Sequence, residues 1–162
     1  MNIRTEIPAD RDAIHAIHCA AFPTVAEADL VDRLRADGDA MVSLVAVESG
    51  TIVGHVMFSR MAAPFRALGL APVAVLEAHR RKGIAARLIE EGLKRAAQDG
   101  WEGVFVLGDY HYYGRFGFTA EAAAPFVSPY AGPHFMALAL NAKTLPARSG
   151  RVDYASAFAA LG

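Results

Sequence analysis

The apolar positions of the chain change period several times, and each change marks an element. "NIRTEI" alternates and predicts a short strand, ended by Pro8. Ile14, Ile17 and Phe22 then recur at helical spacing, with Asp10 placed to cap that helix and Pro23 to break it. In "VAEADLVDRLRADG", Leu30, Val31 and Leu34 share one face, and Gly38 is a natural C-terminal stop. "MVSLVAVESGTIVGHVMFSRM" reads as a hairpin, two β-rich runs joined at Ser49-Gly50. "ALGLAPVAV" predicts a further strand, interrupted by Pro72. Ile84, Leu88, Ile89 and Leu93 then form the apolar stripe of a long helix.

Beyond Gly100 the elements are shorter. "GVFVLGD" reads as a buried strand, and "YHYYGRFGF" as a helical turn leading into another strand. "HFMALAL" reads as a last apolar strand, and the tail predicts a short helix near Tyr154 to Leu161. This order predicts a single α/β (α+β) domain with a mostly antiparallel sheet and one crossover unit. No internal repeat, low-complexity tract or linker breaks it.

Composition narrows the function classes. With 162 residues, 54% hydrophobic and 20% charged, the chain suits one globular domain with a sizeable core. A formal net charge of −1 argues against a bulk electrostatic grip on nucleic acid or an anionic membrane. The start has no apolar signal-peptide core, and charges interrupt every long apolar run. Cys19 stands alone, so no internal disulfide forms. A cytoplasmic location is expected, with Cys19 as a small buried hydrophobe.

One junction changes the picture. In "VAVLEAHRRKGIAARLIEEGLKRAAQDG", His79, Arg80, Arg81 and Lys82 crowd the start of the long helix. Cations are normally disfavoured at that end of the macrodipole, so the cluster anticipates an anion. Free N–H groups make a helix N-terminus an anion site, and Gly83 lets the anion approach the backbone closely. The P-loop pattern and the dinucleotide-fold glycine pattern are both missing here. What stands at the junction is R-x-x-G-x-A, spanning Arg80, Gly83 and Ala85.

That pattern resembles the acetyl-CoA signature Q/R-x-x-G-x-G/A of the GCN5-related N-acetyltransferase (GNAT) family. "YYGRFGF" independently resembles the family's FYxxxGF segment, with Tyr113 four residues before Gly117. "ADLVDRLR", "IVGHVMFS", "LGDYHYYGRFGF" and "SPYAGPHFMALAL" look like the YhbS-type subgroup. The resemblance covers residues 1–142 as an acetyltransferase domain and leaves 143–162 as a C-terminal tail. It implies the GNAT fold, a central mixed sheet splayed between its fourth and fifth strands. It also implies acetyl-CoA as co-substrate, no metal, a small-molecule or peptide primary amine as acceptor, and a homodimer.

The resemblance also implies roles. Pyrophosphate would rest on the N–H groups of Lys82, Gly83, Ile84, Ala85 and Ala86, with Arg81 or Lys82 reaching over it and Arg80 in the motif's first position. Val73, Ala74 and Val75 would serve through the main chain, holding pantetheine and the oxyanion. Tyr113 is the expected general acid, with Tyr112 beside it on the cofactor and in reserve as the acid. An alkyl amine is protonated at neutral pH, so a base or a water relay is needed. Glu27 and His55 are the leading candidates for the base, followed by His134, His111 and Asp109. The "AFPTVAEADL" and "APFVSPYAGPHF" loops are expected to shape the acceptor pocket. Two alternatives stand beside direct acetyl transfer. One is a CoA-binding regulatory or scaffold domain without turnover. The other is a protein-binding module using the aromatics of "YHYY" and "SPYAGPHF".

Overall fold

The computed structural model describes residues 1–161. One mixed sheet of six strands dominates, in the order β1-β2-β3-β4-β5-β7. Its strands are β1 (Asn2–Thr5), β2 (Ala40–Glu48), β3 (Thr51–Arg60), β4 (Ala67–Val75), β5 (Gly103–Leu107) and β7 (Phe135–Ala139). All neighbours are antiparallel except β4 and β5, which run parallel. Helices α1 (Arg11–Ala21), α2 (Ala26–Ala36) and α3 (Ile84–Gln98) flank the sheet, and α4 (Tyr110–Gly114) and α5 (Ala120–Ala123) follow β5. A second, two-stranded sheet pairs β6 (Phe126–Val127) with β8 (Gly150–Arg151). A mixed, mostly antiparallel sheet with flanking helices is what the resemblance implies, and among the described residues no helix is long and apolar enough to cross a membrane.

The β2–β3 hairpin forms where Ser49-Gly50 predicts it. Both turn residues take positive φ, 51° and 80°, the geometry that matches the right-handed twist of paired strands. Helix α3 lies close over β3. A Cβ on Gly92 would sit 2.2 Å from the Phe58 ring, so only glycine admits this approach. Ile84, Leu88, Ile89 and Ala96 are buried against the sheet, which fixes where α3 begins. Cutting Leu88 back to alanine would cost about 2–5 kcal/mol.

Pro72 does not interrupt β4. The register passes from Phe58↔Leu70 to Val56↔Val73, so Ala71 and Pro72 together face Met57 as a bulge. A bulge leaves one residue unpaired, which suits an imino acid with no N–H to donate. Between β4 and β5 the pairing covers Ala67↔Gly103, Leu68↔Val104 and Gly69↔Phe105. Beyond Gly69 the two strands part, while β4 runs on to Val75.

Four expectations change. Asp10 does not cap α1, because it ends a one-turn 3-10 helix, Pro8–Asp10, and turns back to that turn's start. Its carboxylate accepts from the Ile7 N–H at 2.8 Å and from Arg4 at 2.7 Å. Cys19 is half-buried rather than buried, on the partly exposed side of α1. After "YHYYGRFGF" there is only a single bridge, Thr119↔Ala137, before Thr119 caps α5 by accepting from the Ala122 N–H at 3.1 Å. The tail adds β8 before its short helix, which is a 3-10 helix at Ser156–Leu161. Ala157 and Phe158 bury against Ile14, Leu30, Val31 and Leu34, so the tail completes the core on the α1–α2 side.

Candidate functional site

The link from β4 to α3 is shaped by backbone conformation. Glu77–His79 make one 3-10 turn, Arg80 is extended, and Arg81 and Gly83 take φ of 66° and 77°. A left-handed arginine costs about 1 kcal/mol, which the surrounding loop must offset. Gly83 is the N-cap of α3, and a Cβ there would meet nothing within 4 Å, so its need for glycine is one of φ. Among the described residues no side chain caps the helix, and its first turn holds no acidic residue. The amides of this turn are therefore open to an anion, and the residues fit a pyrophosphate.

A cleft of about 250 Å³ stands over this turn. It brings together Val75, Arg80, Arg81, Gly83, Ile84 and Ala85, joined by Ala86 and Tyr112. Three expected residues do not line it. Val73 and Ala74 lie in the β3–β4 ladder opposite Val56 and His55, and the Lys82 side chain is exposed. The Arg80 Nε donates to the Val75 carbonyl at 3.1 Å, so this arginine ties the loop to the end of β4.

His79, read as part of the basic cluster but given no role of its own, also lines the cleft, as does Arg115, which the sequence reading did not single out. The Arg115 guanidinium lies 4.5 Å from the Tyr112 ring centroid, a cation–π contact. Its spacing of three from Tyr112 in a helical turn was the available signal. The His79 Nδ1 lies 2.9 Å from Glu48 Oε2, which anchors the 3-10 turn to β2.

Tyr113 sits deeper than Tyr112. Its ring crosses Gly108, just past β5, where a Cβ would stand 2.6 Å from the ring edge. Tyr112 and Phe118 meet it edge to face at 5.1 and 6.1 Å. Burial, with Tyr112 adding a little, pushes its hydroxyl up to about 12. The phenol is therefore protonated throughout the neutral range.

The candidate bases fare differently. Glu27 is half-buried in the first turn of α2, and its Oε1 is buried with no hydrogen-bond partner among the described residues. His55 is fully buried, with Nδ1 2.8 Å from His18 Nε2 and Nε2 2.8 Å from Ser43 Oγ. Neither ring nitrogen is free to meet an amine directly. Asp109 caps α4 by accepting from the His111 N–H at 3.0 Å, while the His111 and His134 side chains are exposed.

His55 belongs to a buried chain whose tautomers follow from its end. Ser43 donates to Glu6, which Arg35 also holds at 2.8 and 3.1 Å. Burial opposes the charge on Glu6, but the His55 ring 3.7 Å away and the hydrogen bonds from Arg35 and Ser43 outweigh it and hold the carboxyl down at about 2. With its proton given to Glu6, Ser43 accepts from His55 Nε2–H, and the neutral His55 accepts from His18 Nε2–H at Nδ1. Burial, with the nearby Arg35 cation adding to it, holds His18 down at about 3. His18 Nδ1 is then a bare acceptor, and it is indeed buried without a partner among the described residues.

Known proteins share this fold. The description "Acetyltransferase (GNAT) family" matches residues 11–118. An uncharacterised N-acetyltransferase, YhbS of Escherichia coli strain K12, is 40% identical over 126 residues, 75% of each chain. The crystal structure of Escherichia coli YhbS in complex with CoA superposes with a TM-score of 0.92 at 35% identity, covering 99% of this chain and 93% of that one. A GNAT family acetyltransferase from Brucella melitensis, in complex with acetyl-CoA, gives 0.81 at 36% identity, covering 97% of each.

Proposed function

The chain belongs to the GNAT family of acetyltransferases, and from that premise we propose that it moves an acetyl group from acetyl-CoA to a primary amine by direct transfer. The observation that carries this reading is the uncapped start of α3, with its open amides and left-handed Gly83, facing a cleft at the end of β4. Acetyl-CoA supplies the activated acyl group as a thioester. The amides of Lys82 to Ala86 hold its pyrophosphate, and Arg81 adds charge from the cleft wall. Arg115 and Tyr112 close the other side as a stacked pair. The main chain of β4 past the bulge, from Val73 to Val75, offers pairing groups that β5 leaves unused, and these receive pantetheine.

The chemistry then follows from the remaining residues. The amine loses a proton to Glu27, whose buried Oε1 has a lone pair to spare, directly or through water. The nitrogen bonds to the acyl carbon and the carbon–sulfur bond breaks. A β4 N–H near Val73–Val75 stabilises the oxyanion, which is worth several kcal/mol in a water-poor site. Tyr113 donates to the departing sulfur. At about 12 it is a weaker acid than a thiol near 8.5, so its main effect is a hydrogen bond to the developing thiolate.

A thiol-release assay with acetyl-CoA and a panel of primary amines tests the reading. Amine-dependent release of free CoA, reduced in Tyr113→Phe with CoA affinity retained, supports it. CoA binding with no release for any amine would favour a regulatory CoA-binding domain instead.

A further inference from the structure

A cavity of about 200 Å³ opens on β4 just past the point where β5 leaves it. Leu70 and Ala71, the first residues beyond the last β4–β5 pair, form its floor, and Leu107, the last residue of β5, faces them. Tyr130, from the segment between β6 and β7, and Tyr154 and Phe158 from the tail supply the aromatic walls. Leu161 completes the lining, and among the described residues no lining side chain carries a charge.

The tail is fitted to this place. A Cβ on Gly69 would lie 2.5 Å from the Tyr154 ring, so glycine at the parting point makes room for that aromatic wall. Tyr130 meets Tyr154 edge to face at 5.5 Å, and Phe158 stands 5.0 Å from it on another side. Burial raises the Tyr154 hydroxyl, and the phenols of Tyr130 and Tyr113 add to this. The cavity stands where β4 and β5 part.

Volume and polarity select the occupant. An apolar cavity of about 150 Å³ holds one benzene ring. The space here takes a single ring and a short arm. A polyamine, an aminosugar or a lysyl peptide brings more charged or hydroxyl groups than the two phenol hydroxyls of these walls can partner. We infer that the acceptor is a primary amine carried on a single-ring aromatic body, with the ring between Tyr130, Tyr154 and Phe158 and the nitrogen toward the parting of β4 and β5. The inference rests on the acetyl-transfer reading above for its chemistry, and on the cavity alone for its binding.

Binding and turnover are measured separately. Calorimetry on the CoA-saturated protein compares phenethylamine with spermidine and a short lysyl peptide, and thiol release with acetyl-CoA follows for each. Phenethylamine should bind and turn over with a kcat/KM at least 10-fold above the other two. Tyr130→Ala should weaken its binding about 10-fold, Tyr130→Phe should restore it, and CoA affinity should stay unchanged in both. Turnover of spermidine or peptide in preference to phenethylamine, or phenethylamine binding unaffected by Tyr130→Ala, would overturn the inference and leave acetyl transfer intact. Phenethylamine binding that is lost in Tyr130→Ala, without turnover, would keep the site and overturn the transfer reading.

Discussion

The cleft at the start of α3 and the cavity beside Tyr154 both border β4, and they are made differently. The first is built from one continuous stretch of chain, Val75 to Ala86, plus Tyr112 and Arg115. Its proposed grip on CoA lies in backbone: free amides, two left-handed residues and a helix end. The second gathers side chains from β4, β5, the β6–β7 segment and the tail, and among the described residues presents mostly apolar and aromatic surface. A site made of local backbone can be written as a short motif. A site made of distant side chains can vary while the fold stays the same.

The comparison breaks if changes on one side register on the other. The largest expected effect is Gly83→Asp. It places a Cβ residue at φ 77° and a carboxylate at the anion site, and should weaken CoA binding at least 100-fold by calorimetry. The amine-side cavity should be untouched, as read by phenethylamine binding. Next is Tyr113→Phe, which should lower kcat by about 100-fold while the CoA dissociation constant moves less than about threefold. An equal loss of CoA affinity would make Tyr113 part of the cleft wall instead.

Gly69→Ala sharpens the contrast from the other direction. The new methyl overlaps the Tyr154 ring and should cost about 1–3 kcal/mol in urea unfolding. It should raise the amine KM and leave CoA affinity alone. The last effect belongs to neither face. His18 is held neutral well below its ordinary value, so the unfolded chain takes up a proton that the folded chain refuses between about pH 6.5 and about 3. Stability is full above that window and falls with pH inside it, by up to about 1.4 kcal/mol per pH unit from this group. Urea midpoints measured from pH 7 to 4 should fall more steeply for the natural chain than for His18→Gln.

What the sequence reveals follows the same division. The hairpin at Ser49-Gly50, the α3 stripe and the R-x-x-G-x-A junction are legible because local periodicity and turn chemistry specify them. The splay between β4 and β5 is legible only through family resemblance, since the bulge at Ala71-Pro72 and the loss of pairing after Gly69 are properties of two strands together. His55 reads as a candidate base from its residue type. Its burial, and the His18, Ser43 and Glu6 side chains that occupy it, come from elements far apart in sequence. Tyr154 and Phe158 carry no local mark of their place at the parting, because that place depends on Gly69 and Leu70 some 85 residues earlier.

A crystal structure of the protein with CoA tests the central claim most directly. The account predicts pyrophosphate oxygens within about 3 Å of the amides between Lys82 and Ala86, and pantetheine alongside β4 past the bulge with its sulfur near Tyr113. CoA bound elsewhere, or pyrophosphate held by side chains with those amides unengaged, would contradict it.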